Sequence, residues 1–236
     1  MKKLYSKSEL WFSLVWIVIY VALFSVADGL SADLGIEKVV TAPLCILMTA
    51  LLLLWIRKNG LTVTYGLRTA KISAKKYLYF LPLAVLASTN LWGGFALRFS
   101  PLETVLYVIS MIGVGILEEL IFRGFLFKAL CADNIRSAIA ISSITFGIGH
   151  IINLLNGADF FPTLLQICYA VAAGFLFTII FHKSGSLLPC IITHCTINSL
   201  SAFGAERSAA LDVVTAVSLT VFSLLYALWI LRSDKK

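Results

Sequence analysis

Residues 115–124 read GILEELIFRG, two adjacent carboxylates and a guanidinium inside an otherwise apolar run. A charged side chain at bilayer depth costs about 2.5–3.5 kcal/mol on insertion scales. Three such groups within six residues therefore need a reason if this run lies in a membrane. The rest of the chain says that it does. Of 236 residues 60% are hydrophobic and 13% are charged, and the mean hydropathy is +0.95, against about one-quarter charged residues in soluble domains. The expected fold class is all-α, a polytopic membrane bundle forming a single integral membrane domain over residues 1–236.

A membrane helix needs about 20 largely apolar residues. Hydropathy, charge positions and breakers predict about eight spans, near 10–27, 38–56, 77–96, 102–127, 136–155, 161–181, 186–203 and 211–231. Charge placement supports this division, because Lys and Arg concentrate in short cytoplasmic loops. Lys2, Lys3 and Lys7 precede the first span; Arg57, Lys58, Arg68, Lys71, Lys75 and Lys76 fill the second loop; Lys128, Arg136, Lys183, Arg232, Lys235 and Lys236 fall in further alternate segments. The intervening loops hold only Lys38, Arg98 and Arg207 among acids such as Asp28, Asp33, Glu37, Asp159, Glu206 and Asp212. Both termini are expected in the cytoplasm, in a bacterial plasma membrane or, for a eukaryotic chain, that of the endoplasmic reticulum.

The net charge of +7 is spread over several loops, so it reads as topology and anionic headgroups rather than nucleic-acid binding. Arg57 to Lys76, with Tyr65, Tyr77 and Tyr79, reads as an amphipathic stretch on the cytoplasmic interface. Met-Lys-Lys, an apolar run and Ser25-Val26-Ala27 also resemble a secretory signal, although Trp11, Trp16 and the length of the run favour a retained helix. Cys45, Cys131, Cys168, Cys190 and Cys195 show no C-x-x-C spacing and no disulfide framework is expected.

Titratable groups cluster in the fourth, fifth and seventh expected spans. On a helix Glu119 and Arg123 are one turn apart on one face, acid N-terminal to base, a favourable pairing. Glu118 points about 100° away from Glu119, so one carboxylate is neutralised and the other is free to act as a general base. The alternative is a purely structural ion-pair cluster. The fifth span supplies Phe146 and His150 on one face, with Gly147 and Gly149 permitting close helix approach. The seventh supplies His194 and Asn198 at i and i+4; interhelical hydrogen bonding is their structural alternative. Counted from the basic loops, Glu118 and His194 lie roughly 12–15 Å deep and His150 nearer 20 Å, implying a cavity open to cytoplasmic water.

E-E-x-x-x-R at Glu118, Glu119 and Arg123, F-x-x-x-H at Phe146 and His150, and H-x-x-x-N at His194 and Asn198 occur in this order on successive core helices. The trio resembles the CAAX protease and bacteriocin-processing family, also called the Abi or Rce1-like family, over roughly residues 100–203. The resemblance implies a glutamate-dependent intramembrane endopeptidase acting on a membrane-associated or lipidated peptide. Glu118 with His150 would activate water, and His194 with Asn198 would form the oxyanion hole, with Glu119, Arg123 and Phe146 supporting them. No cofactor or metal is expected. A zinc-dependent version would use Glu118, His150 and His194, but H-E-x-x-H is absent. A thiol mechanism at Cys190 or Cys195 lacks an orienting partner, a proton relay or transporter lacks internal symmetry, and a catalytically silent immunity or scaffold member would share this sequence.

Overall fold

The computed structural model describes residues 1–70 and 80–233. A short helix α1 (Lys2–Lys7) leads into α2 (Glu9–Asp33), whose first turn is capped by the Ser8 hydroxyl accepting from the Trp11 amide at 3.2 Å. Helix α3 (Thr41–Lys58) returns beside it. Pro101–Cys131 is one continuous helix in three parts: α5 (Pro101–Glu118), a π-helical stretch (Glu119–Phe127) and the short α6 (Lys128–Cys131). It opens with a reciprocal capping box, in which the Ser100 side chain accepts from the Glu103 amide while the Glu103 carboxylate accepts from the Ser100 amide. Asn134 caps α7 (Ile135–Gly149), which continues through His150 and Ile151 into α8 (Ile152–Leu155). Helix α9 (Phe160–Ser184) ends at Gly185, where φ of 65° needs a residue without a Cβ. Helix α10 (Leu188–Leu200) and α11 (Ala209–Ser233) complete the bundle.

Among the described residues six helices are long and apolar enough to cross a membrane, and Leu188–Phe203 is a shorter apolar one. The chain is an integral membrane protein with an all-α core. The third expected span, 77–96, is described only in part. Its residues 77–79, with Lys71, Lys75 and Lys76 of the expected amphipathic stretch, lie outside the described residues. The described remainder is only α4 (Leu83–Ser88) and a 3₁₀ turn to Leu91. Gly94, at φ 107°, turns the chain there, and the Ala96 amide donates to the Phe203 carbonyl at 2.9 Å. Ser186 Oγ donates to the Arg68 carbonyl at one end of α10, while Asn90 Nδ2 donates to the Ile197 carbonyl near the other. Pro82 and Gly93–Gly94 bracket a segment too short for a spanning helix.

Packing follows the small residues. Helix α5 lies between α3 and α10, and α9 between α7 and α11. A Cβ on Gly115 would stand 2.8 Å from Cys195 Sγ, and one on Gly147 2.8 Å from the Val171 amide, so neither helix pair closes with a larger residue. Trp11, Val18, Ile46, Ile192, Val217 and Trp229 are exposed on the outside of the bundle, as a lipid-facing surface requires. Phe12, Trp16, Tyr20 and Phe24 of α2 are buried inside it, so the segment that resembles a signal sequence is a packed wall of the bundle.

Candidate active site

Arg123 is the largest fully buried side chain, and the bundle is built around it. Its Nη1 donates to Glu119 Oε1 at 3.0 Å, with both side chains 0% exposed. The guanidinium lies 4.0 Å over the Phe146 ring, a cation–π contact strengthened by the absence of water. Gly174 of α9 makes the room: a Cβ there would stand 3.0 Å from Arg123 Nη2 and 3.1 Å from the Phe146 ring. The i, i+4 pairing expected from the sequence is present.

The direction of Glu118 is not as expected. The helix changes from α to π bonding between Glu118 and Glu119, and the i→i+5 pattern widens the turn. Both carboxylates then address one imidazole. His194 Nδ1 lies 2.9 Å from Glu119 Oε1, and His194 Nε2 lies 3.4 Å from Glu118 Oε2. Because Glu119 is already held by a guanidinium, it acts as acceptor and His194 Nδ1–H is the donor. Glu118 is also bound from a helix that sequence reasoning set aside, for Tyr20 OH donates to Glu118 Oε1 at 2.8 Å. A continuous chain of contacts thus runs Arg123, Glu119, His194, Glu118, Tyr20.

His150 caps α7 and sets its ring edge-on to Phe146 at 5.4 Å; Phe146 meets His194 likewise at 5.7 Å. Glu118, Phe146, His150, His194 and Asn198 all line one cavity of about 620 Å³. The sequence-predicted group therefore does converge, with Glu119 and Arg123 buried behind it. Cys190 and Cys195 point elsewhere, their thiols donating to the Phe177 and Ile112 carbonyls, and no cysteine is paired.

Two features were not anticipated. Tyr20 sits in a span that looked devoid of chemistry, although a phenol in mid-helix needs a hydrogen-bond partner, which is a usable signal. The cavity also extends the other way. Its lining runs through Asp28, Lys38, Asn90, Asn156 and Arg207, all at the end of the bundle that carries the acidic loops.

Among the described residues no three of His, Cys, Asp and Glu gather with metal-ligand geometry. Both ring nitrogens of His194 face carboxylates instead. Glu118, His150 and His194 do not fit a His2Glu site as they stand.

Comparison with protein-family models matches residues 99–200 to the Rce1-like model, described as type II CAAX prenyl endopeptidase Rce1-like. No curated protein and no solved structure matches the chain.

Proposed function

We propose, from the match of residues 99–200 to the Rce1-like model of CAAX-type membrane proteases, that the chain is a glutamate-dependent intramembrane endopeptidase using Glu118 as general base. The observation that carries this is the convergence of Glu118, His150, His194 and Asn198 on one cavity inside an apolar bundle. A bilayer excludes water, so a protease there has to hold its nucleophile, and a polar cavity floor supplies the place.

In the proposed reaction Glu118 takes a proton from a water positioned by His150 while the water oxygen bonds to the scissile carbonyl carbon. The Asn198 carboxamide donates to the oxyanion that forms; a single preorganised donor of this kind is worth about 2.7–4 kcal/mol of barrier. As the intermediate collapses and the carbon–nitrogen bond breaks, the proton held by Glu118 passes to the leaving amine. The resemblance gives His194 an oxyanion role as well. Its Nδ1 is committed to Glu119, so it can donate from Nε2 only when doubly protonated. In the singly protonated form Nε2 is an acceptor 3.4 Å from Glu118 Oε2. We therefore assign His194 to relay the proton between Glu118 and the leaving group. Tyr20 and the Glu119–Arg123 pair fix the two partners of that transfer.

The test is cleavage of an internally quenched peptide library by the purified protein in liposomes, with parent, Glu118→Gln and His194→Gln, with and without chelator. Cleavage by the parent that is lost in Glu118→Gln and unaffected by chelation supports the reading. Cleavage retained in Glu118→Gln removes Glu118 as base, loss on chelation favours the zinc version, and a parent that cleaves nothing favours a silent member of the family.

A further inference from the structure

From His150 onward the sequence reads H-I-I-N-L-L-N, with His150, Asn153 and Asn156 at every third position between apolar pairs. On an α-helix such residues fan out by about 60° a step. The chain winds more tightly here. The amides of His150, Asn153 and Asn156 donate to the carbonyls of Gly147, His150 and Asn153, each three residues back, at 3.2, 3.0 and 3.2 Å. Winding of this kind brings side chains at i and i+3 into line, and a rise of about 2.0 Å per residue sets them about 6 Å apart. All three line the cavity that holds Glu118 and Asn198.

The carboxamides of this row keep hydrogen-bonding capacity that the fold does not use. Asn153 Nδ2 donates to Gln166 Oε1 of α9 at 2.9 Å, which ties the two helices and leaves Asn153 Oδ1 as an acceptor and Gln166 Nε2 as a donor at one junction. Exchanging the roles of the two amides leaves the same pattern. Gln166 lines the cavity too. Among the described residues the Asn156 carboxamide makes no hydrogen bond, and Asn156 is exposed. A substrate that displaces water from these groups has to match them, because burying them unmatched is costly.

We propose that His150, Asn153 and Asn156, with Gln166, form a ladder that binds the backbone of an extended peptide substrate. Along one edge of an extended chain the backbone groups recur every second residue, at about 6.4–6.8 Å. The pitch of the ladder is close to that. A donor beside an acceptor is also what the main chain of one residue requires. A helical segment spends its amides and carbonyls on itself, so the substrate has to be unwound where it flanks the scissile bond. Carboxamides bonded to backbone select conformation and tolerate varied side chains. Counted from the water that His150 positions, Asn153 meets the second peptide group from the scissile bond and Asn156 the fourth. The identity of the substrate rests on the peptidase reading above; the geometry of the ladder does not.

Backbone ester substitution, which replaces one amide N–H by oxygen, tests the ladder. A peptide that the parent cleaves is remade with a single ester at each of the four peptide groups on either side of the scissile bond. On one side of the bond, esters at the second and fourth groups should lower kcat/KM about 3- to 10-fold through KM, with little effect at the first and third. Asn153→Ala should erase the effect at the second group and keep that at the fourth, and Asn156→Ala the reverse. A merely structural role slows amide and ester substrates alike. Gln166→Leu strips the same junction from the α9 side and replaces Asn153→Ala should that variant fail to fold. Ester effects that are absent from the parent, lack the alternation or persist in the variants overturn the proposal. A parent that cleaves nothing refutes the peptidase reading, and the ladder is then judged by affinity. Fluorophore-labelled peptides of the same library should bind the parent in nanodiscs and weaken with the same alternation; absence of binding or of alternation overturns it.

Discussion

Replacing Arg123 by alanine is the sharpest test of how the site is held. The guanidinium is 0% exposed, bonds Glu119 at 3.0 Å and covers the Phe146 ring at 4.0 Å. Without it Glu119 keeps only His194 Nδ1 at 2.9 Å, while its second oxygen already has no hydrogen-bond partner. Stranding one member of a buried pair costs about 3–5 kcal/mol. For a chain of this size each kcal/mol moves the midpoint by about 2–4 °C, so Tm should fall by roughly 6–20 °C. The control is the double variant Glu119→Leu with Arg123→Met, which removes both charges and fills the space. An apolar replacement of a whole buried pair is often neutral, so the double variant should recover most of the lost stability and none of the activity. Thermal unfolding of purified protein in detergent, followed by intrinsic fluorescence, reads both. A single variant within about 1 °C of the parent would refute the claim that Arg123 supports the core, since a loss that small corresponds to about 0.5 kcal/mol or less.

Glu118→Gln should abolish peptide hydrolysis while Tm stays near the parent value, because a neutral amide keeps the shape and the contact to Tyr20. Tyr20→Phe keeps the ring on Phe24 at 4.6 Å and removes only the hydroxyl. A hydrogen bond to a charged group is worth about 1.5–3 kcal/mol, so kcat should drop roughly 10- to 100-fold with KM unchanged; an unchanged kcat would mean that Glu118 is oriented without it. Gly147→Leu drives side-chain atoms into α9, where even a Cβ stands 2.8 Å from the Val171 amide, and should destabilise by about 1–3 kcal/mol in the same thermal assay. Chelator should leave turnover unchanged, and restoration by added zinc after a loss would overturn the metal-free mechanism.

Much of this was legible in the sequence because charge is expensive in a bilayer. Glu119 and Arg123 announce an ion pair by spacing alone, and Phe146, His150, His194 and Asn198 stand out because their helices are otherwise apolar. What escaped was geometry that has no signature in residue type. An ideal helix of 100° per residue turns Glu118 away from Glu119, whereas the π stretch brings both to His194. Hydropathy treats residues 77–96 as a span, since it registers apolar content and is blind to Gly93–Gly94 reversing the chain at Phe203. Tyr20 was hidden by its own apolarity: a phenol counts as an aromatic in a hydrophobic helix until a carboxylate is found 2.8 Å from it.

The buried aromatic floor formed by Phe12, Tyr65, Phe125, Phe127 and Phe181, on the Lys128 side of Glu118 along the chain, bears on the economy of the membrane. A wet pit lined by carboxylates and imidazoles is half of a proton wire, and if it ran through, the host would lose its transmembrane gradient. Phe125, Phe127 and Phe181 offer no group that can carry a proton, and each is 2% exposed or less. They act as insulation. An enlargement of the floor, such as Phe125→Ser beside Phe127→Ser, should turn the protein into an uncoupler, acidifying liposomes that the parent leaves sealed.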